Sequence, residues 1–134
     1  MKKTALLDAN VIIRFLLNDH PKLSLQAKKF FSQAEKGLIN LYLDEVVLAE
    51  VIWTLSSFYK IKKTEIIDRL KTLLAQDWLV NPKKELLLEA LGAYRRANLD
   101  YIDCWILVVS KSLGVTLETF DQKLSRKKKQ SPKR

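Results

Sequence analysis

Short apolar runs alternate along the chain with longer segments that have helical periodicity. Four apolar runs of three or four residues stand at 4–7, 41–43, 78–80 and 115–117. We interpret them as buried strands, because a strand covered on both faces can be apolar at every position. Strands that alternate with helices predict a parallel sheet with helices on both faces, which is an α/β fold.

Between these runs, apolar residues recur every three or four positions, the spacing of one helix face. The pattern predicts helices over 11–17, from Pro21 to Gly37, from Asp44 to about Tyr59, after Thr64, after Pro82 and over 102–113. Asp44 and Thr64 are expected to cap their helices through side-chain oxygens. Gly37 and Gly114 are expected to end theirs, because glycine readily adopts the left-handed conformation of a helix end.

Basic residues outnumber acidic ones by 24 to 15, and much of the excess lies at the end of the chain. Residues 126–134 contain six basic residues and no acidic one. We therefore predict one domain over 1–125 and a disordered basic tail over 126–134. The tail is either a solvated end or an arm that attracts polyanions, because Lys and Arg release counterions when they neutralise phosphates.

The single cysteine, Cys104, allows no internal disulfide and no cysteine zinc site. No apolar stretch is long enough to span a membrane, and Asp8, Asn10 and Arg14 interrupt the first apolar run. We expect a soluble cytoplasmic protein without a signal peptide.

Two acidic residues follow predicted strands, at the edge of a parallel sheet where ligands bind. Asp8 comes directly after the first apolar run, and Asp121 lies four residues beyond the last one. Each of them could instead cap a helix or form a turn.

Three further acids occupy unusual positions. Glu50 is the only charged residue between Glu45 and Lys60, in a segment that is apolar nearly all the way round, so we expect it to be buried. A buried carboxylate needs a cation as its partner. The sequence leaves open whether this cation is a Lys or Arg in a core ion pair or a metal ion. Asp100 and Asp103 share one helix face, Asp100 as the cap and Asp103 pointing inward from the first turn.

Clustered carboxylates repel one another and gain stability when a divalent cation lies between them. Mg²⁺ and Mn²⁺ prefer oxygen ligands, which suits Asp and Glu. The lone His20 precedes Pro21 and is interpreted as a surface or capping residue. With three glycines there is no phosphate-binding loop, and no Ser or Cys has a plausible His partner. Metal-assisted hydrolysis is the remaining chemistry.

Four segments in sequence order, 6–10, 48–51, 99–103 and 119–121, resemble the signature of PIN-domain proteins, and more narrowly of VapC-type toxins. The resemblance extends over about 1–124. It implies a three-layer α/β/α sandwich with a short parallel sheet. It also implies an endoribonuclease that uses one or two Mg²⁺ or Mn²⁺ ions, a cognate antitoxin and a homodimer.

The resemblance assigns catalysis and metal binding to four acids: Asp8, Glu50, Asp103 and Asp121. Supporting positions are Asn10, Asp100 and Thr119. Asp100 is an additional acidic position, and Asn10 and Thr119 would orient the carboxylates and hold a water beside the metal. The sequence departs from the usual pattern at Ala9, where Thr is frequent, and at Cys104 and Trp105, where small residues are usual. Neither departure removes a ligand.

Three basic residues are candidate RNA contacts: Arg14, Lys123 and Arg126. Solvated surface charge is the alternative for Lys123 and Arg126, and Arg14 could instead meet an antitoxin carboxylate or one of the four acids. Three other functions stay open. They are a PIN-fold nuclease acting in RNA processing or on DNA, a non-catalytic RNA-binding PIN module, and a structural domain in which Glu50 pairs with a buried cation.

Overall fold

The chain divides into two compact units, Met1–Lys84 and Glu85–Arg134, which we call the N-terminal and C-terminal units. The structure is a computed structural model and describes residues 2–130.

A parallel sheet with helical connections forms the N-terminal unit. Its elements are β1 (Lys3–Leu6), α1 (Ala9–Leu17), α2 (Leu23–Glu35), β2 (Ile39–Tyr42), α3 (Glu45–Trp53), a π-helical segment (Thr54–Phe58), α4 (Lys63–Leu74) and β3 (Leu79–Val80). The strands lie in the order β1–β2–β3, and both neighbouring pairs are parallel. Three of the predicted strands and the predicted α/β class with a short parallel sheet are therefore confirmed.

Aspartates begin two of these helices. The Asp8 Oδ1 accepts a hydrogen bond from the Ala9 N–H at 2.8 Å, and the Asp44 Oδ2 accepts one from the Val46 N–H at 2.9 Å. The predicted cap at Asp44 is confirmed. The predicted cap at Thr64 is wrong, because α4 begins one residue earlier, at Lys63, and Thr64 lies inside its first turn.

Apolar side chains around the central strand form the core of the N-terminal unit. Leu41 and Leu43 are completely buried. Phe31 on α2 stacks against Phe15 at a centroid distance of 3.8 Å and meets the edge of Trp78 at 6.0 Å. Each such buried side chain contributes about 1.5–3 kcal/mol to folding, so the packing of Phe31 holds α2 against the core.

Helices dominate the C-terminal unit. They are α5 (Lys84–Arg96), which starts at the boundary, α6 (Tyr101–Leu113) and α7 (Gln122–Gln130). Gly114 ends α6 with a φ of +67°, as the sequence predicts. Within this unit Tyr94 packs edge-on against Tyr101 at 5.9 Å, and Cys104 is a cysteine with no exposed surface.

The fourth predicted strand, 115–117, is wrong. The segment is irregular, because its backbone groups bond to helices. The Val115 N–H donates to the Ser110 carbonyl, the Ser110 hydroxyl donates to the Val115 carbonyl, and the Lys128 Nζ donates to the Leu117 carbonyl. A branched-residue pattern predicts extended backbone, but it does not say whether a partner strand exists.

The predicted boundary between domain and tail falls inside α7, which continues through residues 126–130. Residues 131–134 of the predicted tail lie outside the described residues. No helix within residues 2–130 has the length and apolarity that a membrane crossing requires.

Candidate active site

Asp8 and Asp121 both sit at helix starts, as the alternative interpretation of each predicted. The Asp121 Oδ1 accepts a hydrogen bond from the Leu124 N–H at 2.9 Å and thereby caps α7, as the Asp8 Oδ1 caps α1. Neither Oδ2 atom accepts a hydrogen bond from another of the described residues. A cap therefore fixes each carboxylate through one oxygen and leaves the other oxygen available, so capping and ligand binding are compatible.

Thr119 holds the backbone at Asp121. The Asp121 N–H donates to the Thr119 Oγ1 at 3.0 Å, and the side chain of Asp121 then turns to cap α7. Asn10, the matching polar residue near Asp8, is exposed in the first turn of α1. A hydroxyl that fixes an adjacent backbone amide restricts the direction of the carboxylate that follows it.

Two carboxylates act on a third, that of Asp103, within the C-terminal unit. Asp103 is half-buried in the first turn of α6, and Asp100 occupies the cap position before that helix without a side-chain cap bond. Burial raises the pKa of the Asp103 carboxyl, and the negative charges of Asp100 and Asp121 raise it further. The sequence placed Asp100 and Asp103 on one face, and the structure adds Asp121 from the start of α7.

The predicted burial of Glu50 is wrong. Leu48, Val51 and Ile52 form the buried face of α3, whereas Glu50 lies on the opposite face with Val46 and Trp53, which are 75% and 66% exposed. The helix is apolar on both faces, and the described structure covers only one of them. An exposed carboxylate is solvated and needs no internal cation. Glu50 forms no ion pair with another residue in 2–130, so the structural-domain alternative loses the buried pair on which it depends.

The predicted site residues are divided between the units. Asp8, Asn10 and Glu50 belong to the N-terminal unit, and the others, Asp100, Asp103, Thr119 and Asp121, belong to the C-terminal unit. Among the described residues, no three His, Cys, Asp or Glu side chains form a group that could hold a metal ion. What the structure brings together is Asp103 with Asp100 and Asp121, whose negative charges act on the Asp103 carboxyl.

The chemistry of these donors fits a hard divalent cation. All four predicted ligands are carboxylates, which Mg²⁺ and Mn²⁺ prefer. His20 is used elsewhere, since its Nδ1 accepts a hydrogen bond from the Leu23 N–H at 3.0 Å, which confirms its interpretation as a capping residue. Cys104 is buried. Oxygen ligands are therefore what the candidate site has to offer.

Arg14 is held by neighbours that are not among the four acids. Its Nη1 lies 2.9 Å from both carboxylate oxygens of Asp19, and its Nη2 donates to the hydroxyl of Tyr59. The hypothesis that Arg14 meets one of the four acids therefore finds no support within the N-terminal unit. Lys123 and Arg126 are exposed on α7 and form no hydrogen bond or ion pair with another described residue.

A comparison with known families decides which family the chain represents. The profile of the PIN domain matches residues 5–130. The chain belongs to the PIN-domain family. The matched span includes all four predicted acids, and the family resemblance of the sequence is thereby confirmed.

A VapC ribonuclease of Aquifex aeolicus (strain VF5) is similar to this PIN domain. The two are 26% identical over 110 residues, which cover 82% of this chain and 81% of the relative. No solved structure matches the chain significantly.

Sequence reasoning did not single out Phe120, which is adjacent to two of the predicted site residues. Phe120 lies between Thr119 and Asp121 and is 107% exposed. The available signal was an aromatic residue between two polar ones, directly ahead of a basic helix.

Proposed function

We propose that this PIN-domain chain is a metal-dependent endoribonuclease that hydrolyses RNA phosphodiester bonds and serves as the toxin of a toxin–antitoxin pair. The observation that carries the proposal is the family match over residues 5–130, which includes every proposed ligand. The similarity to a VapC ribonuclease along most of both chains supports the choice of RNA as the substrate.

The proposed ligands are Asp8, Glu50, Asp103 and Asp121, and the ion is Mg²⁺ or Mn²⁺, bound singly or as a pair. Such an ion, when bound, lowers the pKa of a water and stabilises negative charge on the attacked phosphate. The donor chemistry supports this assignment, because each ligand offers a carboxylate oxygen. The Oδ2 atoms of Asp8 and Asp121, which accept no hydrogen bond from another residue within 2–130, support it further.

The chain's own residues orient the proposed carboxylate ligands in the absence of substrate. The caps of α1 and α7 fix the directions of Asp8 and Asp121, and Thr119 fixes the backbone before Asp121. Asp100 adds negative potential beside Asp103, which favours a cation over an anion at this position. We assign Asn10 a similar orienting role beside Asp8.

The proposed partners are an RNA, an antitoxin that blocks the site and a second copy of the chain. Their support comes from the toxin resemblance. The exposed apolar residues Val46 and Trp53 on α3 offer a surface of the kind that protein partners cover.

The test is cleavage of total RNA by the purified protein with Mg²⁺, with Mn²⁺ and with EDTA. We expect metal-dependent cleavage that EDTA abolishes and that Asp103→Asn lowers at least about 100-fold, since loss of a ligand costs more than loss of an outer contact. Asp77→Asn, an exposed aspartate outside the site, is the matched control and should cleave like the wild type. A folded protein that neither cleaves RNA nor binds Mn²⁺ would show that the proposal is wrong.

A further inference from the structure

Phe120 presents its whole ring to solvent. Its exposure of 107% exceeds that of the other exposed large apolar residues in the described part of the chain. A scattered apolar residue at a surface is ordinary, but Phe120 directly precedes a proposed ligand, Asp121, in the chain. Its position therefore prompts the question of what it contacts during function.

The backbone that carries this ring is fixed on both sides. After Phe120, the Asp121 N–H donates to Thr119 and the Asp121 side chain caps α7, whose Leu124 is only 4% exposed. Before it, the Lys128 Nζ donates to the carbonyl of Leu117. The ring is thus presented from an ordered support, which lowers the entropic cost of binding a planar partner.

The helix that follows is strongly basic. α7 contains five basic residues and no acidic one. Lys123 and Arg126 are three positions apart, so they share a face of the helix. At 1.5 Å per residue they lie about 3 Å and about 7.5 Å beyond Asp121 along the helix axis. The basic residues of α7 therefore follow directly after Asp121, which is the last of the proposed ligands along the chain.

The basic residues of α7 offset the repulsion between the acids of the proposed site and the phosphates of RNA. Asp100, Asp103 and Asp121 repel the phosphates of any nucleic acid, so nearby cations must attract the strand. Bases that are unpaired expose a face on which an aromatic ring can stack, and such stacking tolerates any sequence. Bases inside a duplex offer no such face.

We propose that Phe120, Lys123 and Arg126 form a binding surface for single-stranded RNA beside the acids of the C-terminal unit. Phe120 stacks on an unpaired base, and the two cations bind phosphates of the adjacent backbone. The choice of RNA as the ligand rests on the proposed function. The surface makes the site selective for unpaired segments such as loops and ends.

Stacking is tested by fluorescence anisotropy with a short labelled RNA of mixed sequence, single-stranded in one sample and annealed into a duplex in another. The protein is the full chain carrying Asp103→Asn, with Mg²⁺ present. Phe120→Leu should weaken binding of the single strand at least about fivefold, whereas Phe120→Trp should bind within about twofold of Phe120. Phe58→Leu, an exposed phenylalanine of the N-terminal unit, is the matched control and should bind as before.

The phosphate contacts are tested by the dependence of affinity on salt. Replacing both cations, as Lys123→Gln with Arg126→Gln, should reduce the slope of log affinity against log salt by about 1.4, because each contact to a single strand contributes about 0.7. Lys28→Gln with Lys29→Gln removes two exposed charges from α2 and should leave the slope unchanged. Lys128→Gln is not a suitable control, since Lys128 holds Leu117.

Several results would overturn the inference. Equal RNA binding by Phe120→Leu and by the wild-type residue would exclude stacking of the ring on a base, and so would a loss of binding with Phe120→Trp as large as with Phe120→Leu. Equal affinity for duplex and single strand would also overturn the inference, and so would a salt slope that Lys123→Gln with Arg126→Gln leaves unchanged. These outcomes are separate from the cleavage test, because the binding assay requires no activity. A chain that binds as expected but never cleaves RNA would retain this surface and lose the proposed nuclease.

Discussion

Each unit has a half-buried acid in the first turn of a helix, and the two environments change their pKa values in opposite directions. Glu45 opens α3 in the N-terminal unit, where a hydrogen bond from the Asn81 amide at 2.6 Å and the nearby Lys83 ammonium lower the pKa of its carboxyl. Asp103 lies in the first turn of α6, where burial and the charges of Asp100 and Asp121 raise the pKa of its carboxyl.

The difference lies in what surrounds each carboxylate. Asn81 is buried and uses its whole amide, because its Nδ2 also donates to the Leu43 carbonyl at 2.7 Å and its Oδ1 accepts from the Lys83 N–H at 2.7 Å. This network joins the ends of β2 and β3 to the start of α3. Asp103 faces other carboxylates instead. A carboxylate with hydrogen-bond and ionic partners, such as Glu45, supports the fold. A carboxylate beside other negative charges, such as Asp103, is a typical feature of a site that receives a cation.

The largest effect on stability should follow from removing the centre of the satisfied network. Asn81→Ala leaves the Leu43 carbonyl without this hydrogen bond and Glu45 without its amide donor, so the free energy of unfolding should fall by about 1–3 kcal/mol. Urea denaturation followed by circular dichroism measures this change. Asn98→Ala, at an exposed asparagine of the C-terminal unit, should stay within about 0.5 kcal/mol of the wild type. An equally small change for Asn81→Ala would contradict the structural role of the network.

A smaller effect should appear in the pH dependence of stability. Because folding lowers the pKa of Glu45 below its ordinary value of 4.5, its stabilising contribution is present above that pH. The contribution is lost as the pH falls through the lower pKa of the folded state. Glu45→Gln should therefore be less stable than the wild type at neutral pH, by less than about 1 kcal/mol because Glu45 is partly exposed. The difference should shrink below pH 4.5, and thermal denaturation of both proteins across acidic pH would measure it. A difference that grows in acid would contradict the prediction.

The smallest effect has the opposite sign and concerns Asp103. At neutral pH the ionised Asp103 is destabilised by burial and by its two acidic neighbours, so Asp103→Asn should raise the melting temperature by about 1–3 °C in metal-free buffer. The same substitution removes a proposed ligand, and the activity should fall while the stability rises. Asp77→Asn should leave the melting temperature unchanged. A lower melting temperature for Asp103→Asn would place Asp103 in the same class as Glu45.

Local periodicity predicted most of the fold, because three apolar runs and the helices between them follow the rules of short-range packing. It failed where the answer depends on a distant partner. Val115-Thr-Leu117 has the composition of a strand, but Ser110 and Lys128 bind its backbone groups. The segment around Glu50 is apolar on both faces, and periodicity alone cannot say which face is covered.

The candidate site could be predicted in part. Asp8 follows from its place after an apolar run that is a strand, and Asp100 and Asp103 follow from their spacing of three. The apolar run before Asp121 forms no strand, so the place of Asp121 does not follow from it. The influence of Asp121 on Asp103 could not be predicted from spacing, because it depends on how α7 packs. The exposure of Phe120 was equally hidden, since the sequence places it beside Thr119 and Asp121 without stating which way its ring points.

The reactivity of the buried Cys104 thiol can report how often α6 opens. The chain has one cysteine, it lies one residue after Asp103, and it has no exposed surface. A thiol-specific dye can react only in molecules whose helix has transiently opened, so the rate of dye incorporation measures the frequency of those openings. The wild-type chain thus carries a kinetic probe in the helix that bears Asp103, without any label having to be introduced.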